Sequence, residues 1–150
     1  MAFHPTTIDL VAPCGLDCFN CEMYERNISQ PLIDAVSARL KRDPETVPCR
    51  GCRPNEGHCL FVGECPTYAC VKEKGIRFCF ECGGFPGFRL APAKEGADKF
   101  PHNFKVFNLC RMKAVGVEQW AEDESQTIRR LYFKGKFVPG IGPVHDTTCT

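Results

Sequence analysis

A first helix is predicted over residues 31–42, because apolar residues recur there every three or four positions. Pro31 suits the first turn of a helix, and Pro44 follows the last turn, where it stops the helix. The residues that form the apolar stripe are Leu32, Ile33, Val36 and Leu40. The pattern therefore indicates an amphipathic helix of about three turns.

A second, shorter helix is predicted over residues 66–74. Pro66 occupies the first position, and Gly75 lies just past the end, where glycine commonly terminates a helix. Lys72 and Lys74 fall in the last turn, where the helix dipole favours positive charge. Pro66 and Gly75 therefore predict the two ends of this helix better than its apolar residues do.

The last third of the chain predicts two further helices. One runs over about residues 102–115 and ends at Gly116, and the other covers about 117–131 and is anchored by Trp120. The face of the first that we expect to be buried carries Phe104, Phe107, Cys110 and Ala114. Residues 132–143 contain too many Gly and Pro for a helix and predict an extended, hairpin-like segment.

Cysteines divide the chain into two regions. Ten of the 12 cysteines lie between residues 14 and 82. We expect a cysteine-rich metal-binding region over residues 1–90, a loop over 90–97, and a helical region over 98–150 packed on the first as one compact unit. The predicted fold class is a small metal-stabilised α+β or irregular fold, with short helices and knuckle turns in the cysteine-rich region and a helical C-terminal region.

The cysteines are expected to bind metal rather than to form disulfides. Hydrophobic residues make up 43% of the chain, but this figure includes the cysteines, so the apolar core is thin and needs cross-links or metal ions. The first residues lack the basic start and the apolar run of a signal peptide, and no run approaches the roughly 20 apolar residues of a membrane span. These features predict a cytoplasmic protein without a membrane anchor, in a compartment that keeps thiols reduced.

Two pairs of cysteines carry the clearest metal-binding pattern. Cys49 and Cys52 are separated by two residues, and so are Cys79 and Cys82, with two glycines following the second pair. Two intervening residues allow a tight turn to direct both sulfurs at one ion, while backbone amides of the turn donate hydrogen bonds to the thiolates. Two such pairs among so many cysteines predict thiolate metal sites.

Ten cysteines are candidate ligands, enough for two ions. They are Cys14, Cys18, Cys21, Cys49, Cys52, Cys59, Cys65, Cys70, Cys79 and Cys82. We favour one site built from the last four, in which Cys65 begins the short helix where the dipole stabilises a thiolate. The other six offer more ligands than a second site needs, so the spacing leaves open which four share that ion.

Zinc is the favoured metal, and a [4Fe–4S] cluster is the alternative. Four thiolates suit either. The spacing of Cys14, Cys18 and Cys21 is that of the cluster loop in radical S-adenosylmethionine enzymes. Those enzymes need a large partial barrel, which 150 residues cannot supply, and the cysteine run of bacterial ferredoxins is absent. We therefore expect two zinc ions.

Four segments together resemble an uncharacterised prokaryotic cysteine-rich family, domain of unknown function 3795. They are Cys14–Cys21, Cys52–Cys59, Cys65–Gly75 and Cys79–Pro86, and the similarity extends over roughly residues 10–125. The resemblance implies zinc binding, which is suspected in the family because of its cysteines. This chain departs from the family pattern at Gly87, where a cysteine is expected, and over residues 129–134, where another Cys-x-x-Cys is expected.

The remaining Cys and His candidates and a group of basic residues are expected to lie outside the metal sites. Cys110 is expected to pack in the core, Cys149 to be an exposed free thiol, and His58 to stay outside a ligand set already oversupplied with cysteines. A basic patch is interpreted as a solvated face: Arg129, Arg130, Lys134 and Lys136. No catalytic motif is present, so the sequence leaves enzymatic activity open.

The charge of the chain argues against a general nucleic-acid-binding surface. The formal net charge is +1, and two zinc ions each held by four thiolates would change it by −4, to about −3. The predicted function is a structural zinc-binding protein that presents a surface to an unidentified protein partner. The alternative is an iron–sulfur redox protein or enzyme that uses the loop of Cys14, Cys18 and Cys21.

Overall fold

The computed structural model of the chain describes residues 7–97 and 103–145, which combine helices with two small β-hairpins. The helices are α1 (Gln30–Leu40), α2 (Pro66–Lys74), α3 (Lys105–Val115), α4 (Val117–Gln119) and α5 (Ser125–Lys134). The strands are β1 (His58–Cys59), β2 (Gly63–Glu64), β3 (Lys136–Val138) and β4 (Gly142–Val144). The predicted mixture, with short helices in the cysteine-rich region and helices after it, is confirmed, whereas stabilisation by metal stays a prediction.

Both hairpins are antiparallel and two-stranded. In the first, His58 pairs with Glu64. In the second, Phe137 pairs with Pro143, which confirms the extended segment expected near the C-terminal end. Single 3₁₀ turns connect the other segments, at Thr7–Leu10, Cys18–Asn20, Pro44–Thr46, Cys79–Glu81 and Phe88–Leu90. Within the described ranges, no helix has both the length and the apolar character needed to cross a membrane.

Helices α1 and α2 lie where the sequence predicts them. Helix α1 begins after Ser29, whose hydroxyl accepts a hydrogen bond from the Leu32 amide at 3.4 Å, and it ends at Lys41 in a left-handed conformation. Its apolar stripe is only half-buried. Helix α2 has the predicted bounds, with Cys65 as the residue before its first turn and Gly75 at φ 65° after its last.

Helix α3 buries a different face from the one expected. Phe104 is buried, but Phe107 is 55% exposed and Cys110 is also exposed, so the prediction of a core position for Cys110 is wrong. The buried face carries Asn108, Leu109 and Met112. The side-chain amide nitrogen of Asn108 donates to the carbonyl of Gly15 at 2.9 Å, whereas its buried Oδ1 has no hydrogen-bond partner among the described residues.

Helices α4 and α5 are joined through a π-helical segment, Trp120–Glu124. The backbone N–H of Ser125 donates to the carbonyl of Trp120, five residues back. Helix α5 continues to Lys134, so the sequence prediction of an extended segment from residue 132 is wrong by three residues. Tyr132 packs its ring 4.6 Å from that of Phe104, and this contact favours the additional helical turn.

One hydrophobic core joins the cysteine-rich region to the C-terminal helices. Trp120 and Leu109 are fully buried in it, which confirms Trp120 as the anchor of the last helical stretch. The buried core residues are Val11, Ala12, Cys14, Phe78, Leu90, Leu109, Met112, Trp120 and Ala121. Cys18, Cys52 and Cys79 pack against this cluster. Several candidate ligands therefore border the core instead of standing in solvent.

Gly15 allows α3 to approach closely the turn that carries Cys14, which we call the first cysteine turn. It has φ +96°, and a Cβ atom added to it would lie 2.6 Å from the Lys105 carbonyl oxygen and 2.9 Å from Leu109 Cγ. We expect Gly15→Ala to lower the free energy of unfolding by about 3 kcal/mol, since it adds both backbone strain and overpacking. Denaturant unfolding monitored by circular dichroism measures this change.

Gly140 provides the matched control for backbone strain without a collision. It has φ +82° in the hairpin turn, and an added Cβ would meet nothing within 4 Å. Gly140→Ala is expected to cost about 1 kcal/mol, the cost of the left-handed backbone alone. Equal losses for the two variants would show that the close approach at Gly15 does not matter for stability.

Candidate metal-binding thiols

All ten candidate ligands are free thiols in the structure, and so is Cys110. Cys14 is buried and the other nine are half-buried. They lie mainly in turns and at helix ends between residues 14 and 82, close to the core described above. Cys149, expected to be an exposed thiol, lies outside the described residues.

Four of these sulfurs accept a hydrogen bond from the backbone N–H two residues further along the chain. The donor and acceptor pairs are Leu16 to Cys14, Met23 to Cys21, Gly51 to Cys49 and Gly84 to Cys82. The last two bonds are each 3.4 Å long. Such bonds favour the charged thiolate, the form that binds metal. The turn hydrogen bond expected in the Cys-x-x-Cys pairs is thus confirmed at Cys49, whereas the bond to Cys82 comes from Gly84, which follows the second pair.

Cys18 and Cys52 influence each other directly. The Cys52 thiol donates a hydrogen bond to the Cys18 sulfur, which also accepts one from the Cys52 backbone N–H. The thiol hydrogen bond lowers the pKa of Cys18 and raises that of Cys52. Both sulfurs would have to be deprotonated before they could bind one ion.

Further thiols surround this pair closely enough to influence one another electrostatically. Burial raises the pKa of Cys14, as do Cys18 and Cys65, and burial also raises that of Cys49, with Cys18, Cys59 and Cys21 contributing. The seven members of this first thiol group are Cys14, Cys18, Cys21, Cys49, Cys52, Cys59 and Cys65. The group holds more sulfurs than one four-coordinate ion needs.

Backbone pairing brings the segment that follows Cys21 beside the turn that carries Cys49. Tyr24 and Cys49 form an isolated parallel bridge. The Cys49 amide donates to the Met23 carbonyl and the Glu25 amide to the Cys49 carbonyl, both at 2.8 Å. This pairing spans more than 20 residues of sequence, so the cysteine spacing alone does not predict it.

The second thiol group consists of Cys70, Cys79 and Cys82. Cys70 lies on α2, Cys79 begins the 3₁₀ turn Cys79–Glu81, and Cys82 directly follows that turn. All three line one pocket of about 150 Å³. Burial, together with the nearby Cys14, Cys70 and Cys82, raises the pKa of Cys79 to about 12. Cys14 therefore influences a member of the second group as well as the first.

Lys74 is a charged residue that contacts the second thiol group. Its Nζ donates to Cys82 Sγ at 3.2 Å. The Gly84 amide and then Lys74 lower the pKa of Cys82, and the same contact raises that of Lys74. Apolar residues form much of the remaining pocket wall: Val71, Ile76, Phe85, Pro86, Phe88 and Leu90.

The grouping of ligands expected from the sequence is only partly reflected in the structure. Cys70, Cys79 and Cys82 share a pocket, but Cys65 does not line it and instead influences Cys14. Among the described residues, no three Cys, His, Asp or Glu side chains converge as a metal site requires. The donors suit a soft metal chemically, but the side chains would have to turn toward a shared ion. The assignment of four ligands to each ion stays a prediction.

His58 makes contacts that occupy both of its ring nitrogens. Nδ1 lies 3.1 Å from the Asn55 carbonyl oxygen, and Nε2 lies 3.5 Å from Glu64 Oε1 across the first hairpin. The side chain is exposed. These contacts agree with the interpretation that His58 stays outside the ligand set.

The sequence did not predict the buried ion pair between Asp17 and Arg129, which lies beside Cys18. Asp17 is 1% exposed, and its Oδ1 lies 2.8 Å from an Arg129 guanidinium nitrogen. Arg129 also contacts Glu22 at 3.1 Å, and Asn20 donates to Asp17 at 3.1 Å. Arg129 was expected on a solvated face, which is wrong, because its side chain is only 14% exposed.

The network around Asp17 also includes Ser125. Asn20 donates a second hydrogen bond to the Ser125 hydroxyl at 3.0 Å. Burial raises the pKa of Asp17, and the opposing charge of Arg129 lowers it. The partners are separated by 112 residues, so no local sequence pattern could have revealed the pair. The network ties the turn that carries Cys18 to α5.

The cysteine-rich region of the chain matches a protein family. Residues 10–91 match the family described as Protein of unknown function (DUF3795), and the chain belongs to it. The resemblance is thereby confirmed for the cysteine-rich region, and the match ends before α3. No curated protein and no solved structure matches the chain.

Gly87 shows how this chain departs from the family pattern. It has φ 66° and ψ 161°, a backbone conformation essentially restricted to glycine. A cysteine could not adopt this backbone without strain. Gly87 lines the pocket of the second thiol group and offers no side-chain donor there.

Proposed function

We propose that this protein is a cytoplasmic zinc-binding protein in which thiolates hold two ions. The observation that supports it best is the set of backbone amides that donate to Cys14, Cys21, Cys49 and Cys82. Such donors stabilise thiolates before any ion arrives, and soft thiolates prefer zinc or iron over hard cations. In this proposal the first thiol group supplies four ligands for one ion, and the second thiol group holds the other.

The role of the ions in this proposal is structural. Cys14 belongs to the core cluster, and Cys18, Cys52 and Cys79 pack against it, so an ion held by these sulfurs would fix the loops around the core. Structural zinc contributes directly to the free energy of folding. We assign no catalytic residue, and enzymatic activity is not part of the proposal.

A protein partner is the second element of the proposal. Exposed apolar residues stand on two parts of the surface: Phe88 is 99% exposed beside the second thiol group, and Phe137 and Ile141 are 71% and 74% exposed on the C-terminal hairpin. Exposed aromatic and aliphatic side chains of this kind are common at protein interfaces. We propose no nucleic-acid partner, in line with the near-neutral charge.

Elemental analysis of anaerobically purified protein tests the metal directly. We expect about two moles of zinc per mole of chain, as two four-coordinate sites predict. Cys110→Ser is the matched control, because Cys110 is exposed on α3 and lies outside both thiol groups, so the zinc content should not change. Protein free of zinc would overturn the proposal. Iron with visible absorption near roughly 400 nm would establish the iron–sulfur alternative instead.

A further inference from the structure

Arg130 and Lys134 are exposed positive charges on α5 without a carboxylate partner. Within the part of the chain that the structure describes, neither side chain forms an ion pair. They are four residues apart, so they project from the same side of the helix about one turn from each other. Like charges in this arrangement repel, and a bound anion would relieve the repulsion.

Both side chains line a pocket of about 340 Å³ between α5 and the segment around Asn20. This volume lies at the lower end of the range of pockets that bind small molecules. The other lining residues are Asn20, Glu22, Gln126, Thr127, Arg129 and Phe133. None of the ten candidate metal-binding cysteines is among them, so the pocket is separate from both thiol groups.

Phe133 gives the pocket an aromatic wall. Its side chain is 38% exposed, and the centroid of its ring lies 5.0 Å from that of Tyr132 and 6.0 Å from that of Phe104. The guanidinium carbon of Arg129 lies 5.0 Å from the same centroid. These contacts hold the ring in place, and an aromatic surface beside positive charge suits an anion with a planar organic body.

The charges around the pocket favour an anion that carries two negative charges. Arg129 is already engaged by Asp17 at 2.8 Å and by Glu22 at 3.1 Å. Glu22, the acidic side chain of the lining, is therefore offset by Arg129, and the charges of Arg130 and Lys134 remain unpaired. A phosphate monoester has a charge between about −1.5 and −2 near neutral pH, and its oxygens fit the fork of an arginine.

We infer that this pocket binds a small phosphate monoester with an aromatic body. Arg130 and Lys134 contact the phosphate, and the aromatic group packs against Phe133. Gln126 supplies further hydrogen-bond donors at the same wall. The inference uses no metal ion and does not rest on the function proposed above.

Isothermal titration calorimetry of the full chain at low ionic strength tests the site, with phenyl phosphate as the probe. We expect saturable binding of one molecule per chain, with an affinity that falls as salt is added because the contacts are largely electrostatic. Inorganic phosphate, which lacks the ring, should bind more weakly. Phenol, which lacks the phosphate, should not bind detectably at the same concentrations.

Single substitutions assign the binding to this pocket. Arg130→Met and Lys134→Met should each weaken the affinity for phenyl phosphate roughly tenfold, as expected for the loss of one charge-assisted hydrogen bond. Glu22→Gln should strengthen it about threefold, because an acidic group is removed from the lining. Lys113→Met is the charge-matched control and should leave the affinity unchanged, since Lys113 is exposed on α3 and does not line the pocket.

The results that would overturn the inference are distinct from those that bear on metal binding. Absence of saturable binding of phenyl phosphate overturns the site, and so does an affinity that is unchanged in both Arg130→Met and Lys134→Met. Equal affinities for phenyl phosphate and inorganic phosphate overturn the role of Phe133. The zinc content of the same sample decides the proposed function independently, because no candidate thiol lines this pocket.

Discussion

Removal of the bound zinc with a strong chelator is expected to unfold the cysteine-rich half of the chain. A structural zinc ion contributes on the order of 10 kcal/mol or more to folding, which is comparable to the whole net stability of a typical domain. Loss of both ions should therefore abolish cooperative thermal unfolding and reduce the helical circular dichroism signal. Because Trp120 is the single tryptophan and is fully buried in the shared core, its fluorescence should shift to the red at the same time.

The control for this experiment is the same chelator saturated with zinc beforehand, which should have no effect on the protein. Addition of excess zinc after chelation should restore the original spectrum if the protein remains reduced. An unchanged melting temperature and unchanged circular dichroism, in protein shown by elemental analysis to be metal-free, would contradict a structural role for the ions.

Replacement of Arg129 by methionine is expected to lower the free energy of unfolding by about 3–5 kcal/mol. The substitution leaves the Asp17 carboxylate buried without its cationic partner, and loss of one member of a buried pair is strongly destabilising. Methionine keeps much of the length of the side chain, so the loss reports charge more than packing. Denaturant unfolding at neutral pH, with the metal content held constant, measures the effect.

Arg130→Met is the matched control, because Arg130 is the next residue on the same helix and is exposed. It should change stability by no more than about 0.5 kcal/mol. Asp17→Asn combined with Arg129→Met should be more stable than Arg129→Met alone, since no buried charge then remains. If the two arginine variants behave alike, the Asp17 pair is not a major source of stability.

The helices of this protein could be predicted to a large extent because their ends are marked locally. Pro66 and Gly75 define the bounds of α2, and Gly116 ends α3 as expected. Capping depends on residues within one turn of the helix end, so a single sequence contains the necessary information. The same holds for the turn amide at Cys49, which follows from the spacing of two residues.

The buried face of α3 could not be predicted because a distant residue determines it. Gly15 lets the helix approach the first cysteine turn, and Asn108 turns inward to donate to its carbonyl. An apolar count alone favours Phe107 and Cys110 for the core, yet both are exposed. Hydrophobic periodicity identifies a helix, but tertiary contacts decide which of two apolar faces is buried.

The candidate ligands themselves were identified from spacing, whereas their neighbours were not. Cys18 contacts Cys52 from a turn more than 30 residues away, and Cys65 influences Cys14 but does not line the pocket of the thiols that follow it. These proximities depend on how loops fold over the core. Spacing predicts which cysteines share a turn, but it cannot predict which turns face each other.

The π-helical segment between α4 and α5 determines where Arg129 points. In a regular α-helix each residue advances about 100° around the axis, so Arg129, nine residues after Trp120, would lie roughly half a turn away on the opposite side. The wide turn takes up about one extra residue and reduces that offset to roughly 80°. The tryptophan and the arginine can therefore both face the cysteine-rich region. An insertion of a single residue in helical register thus converts a side chain of the outer surface into the partner of Asp17.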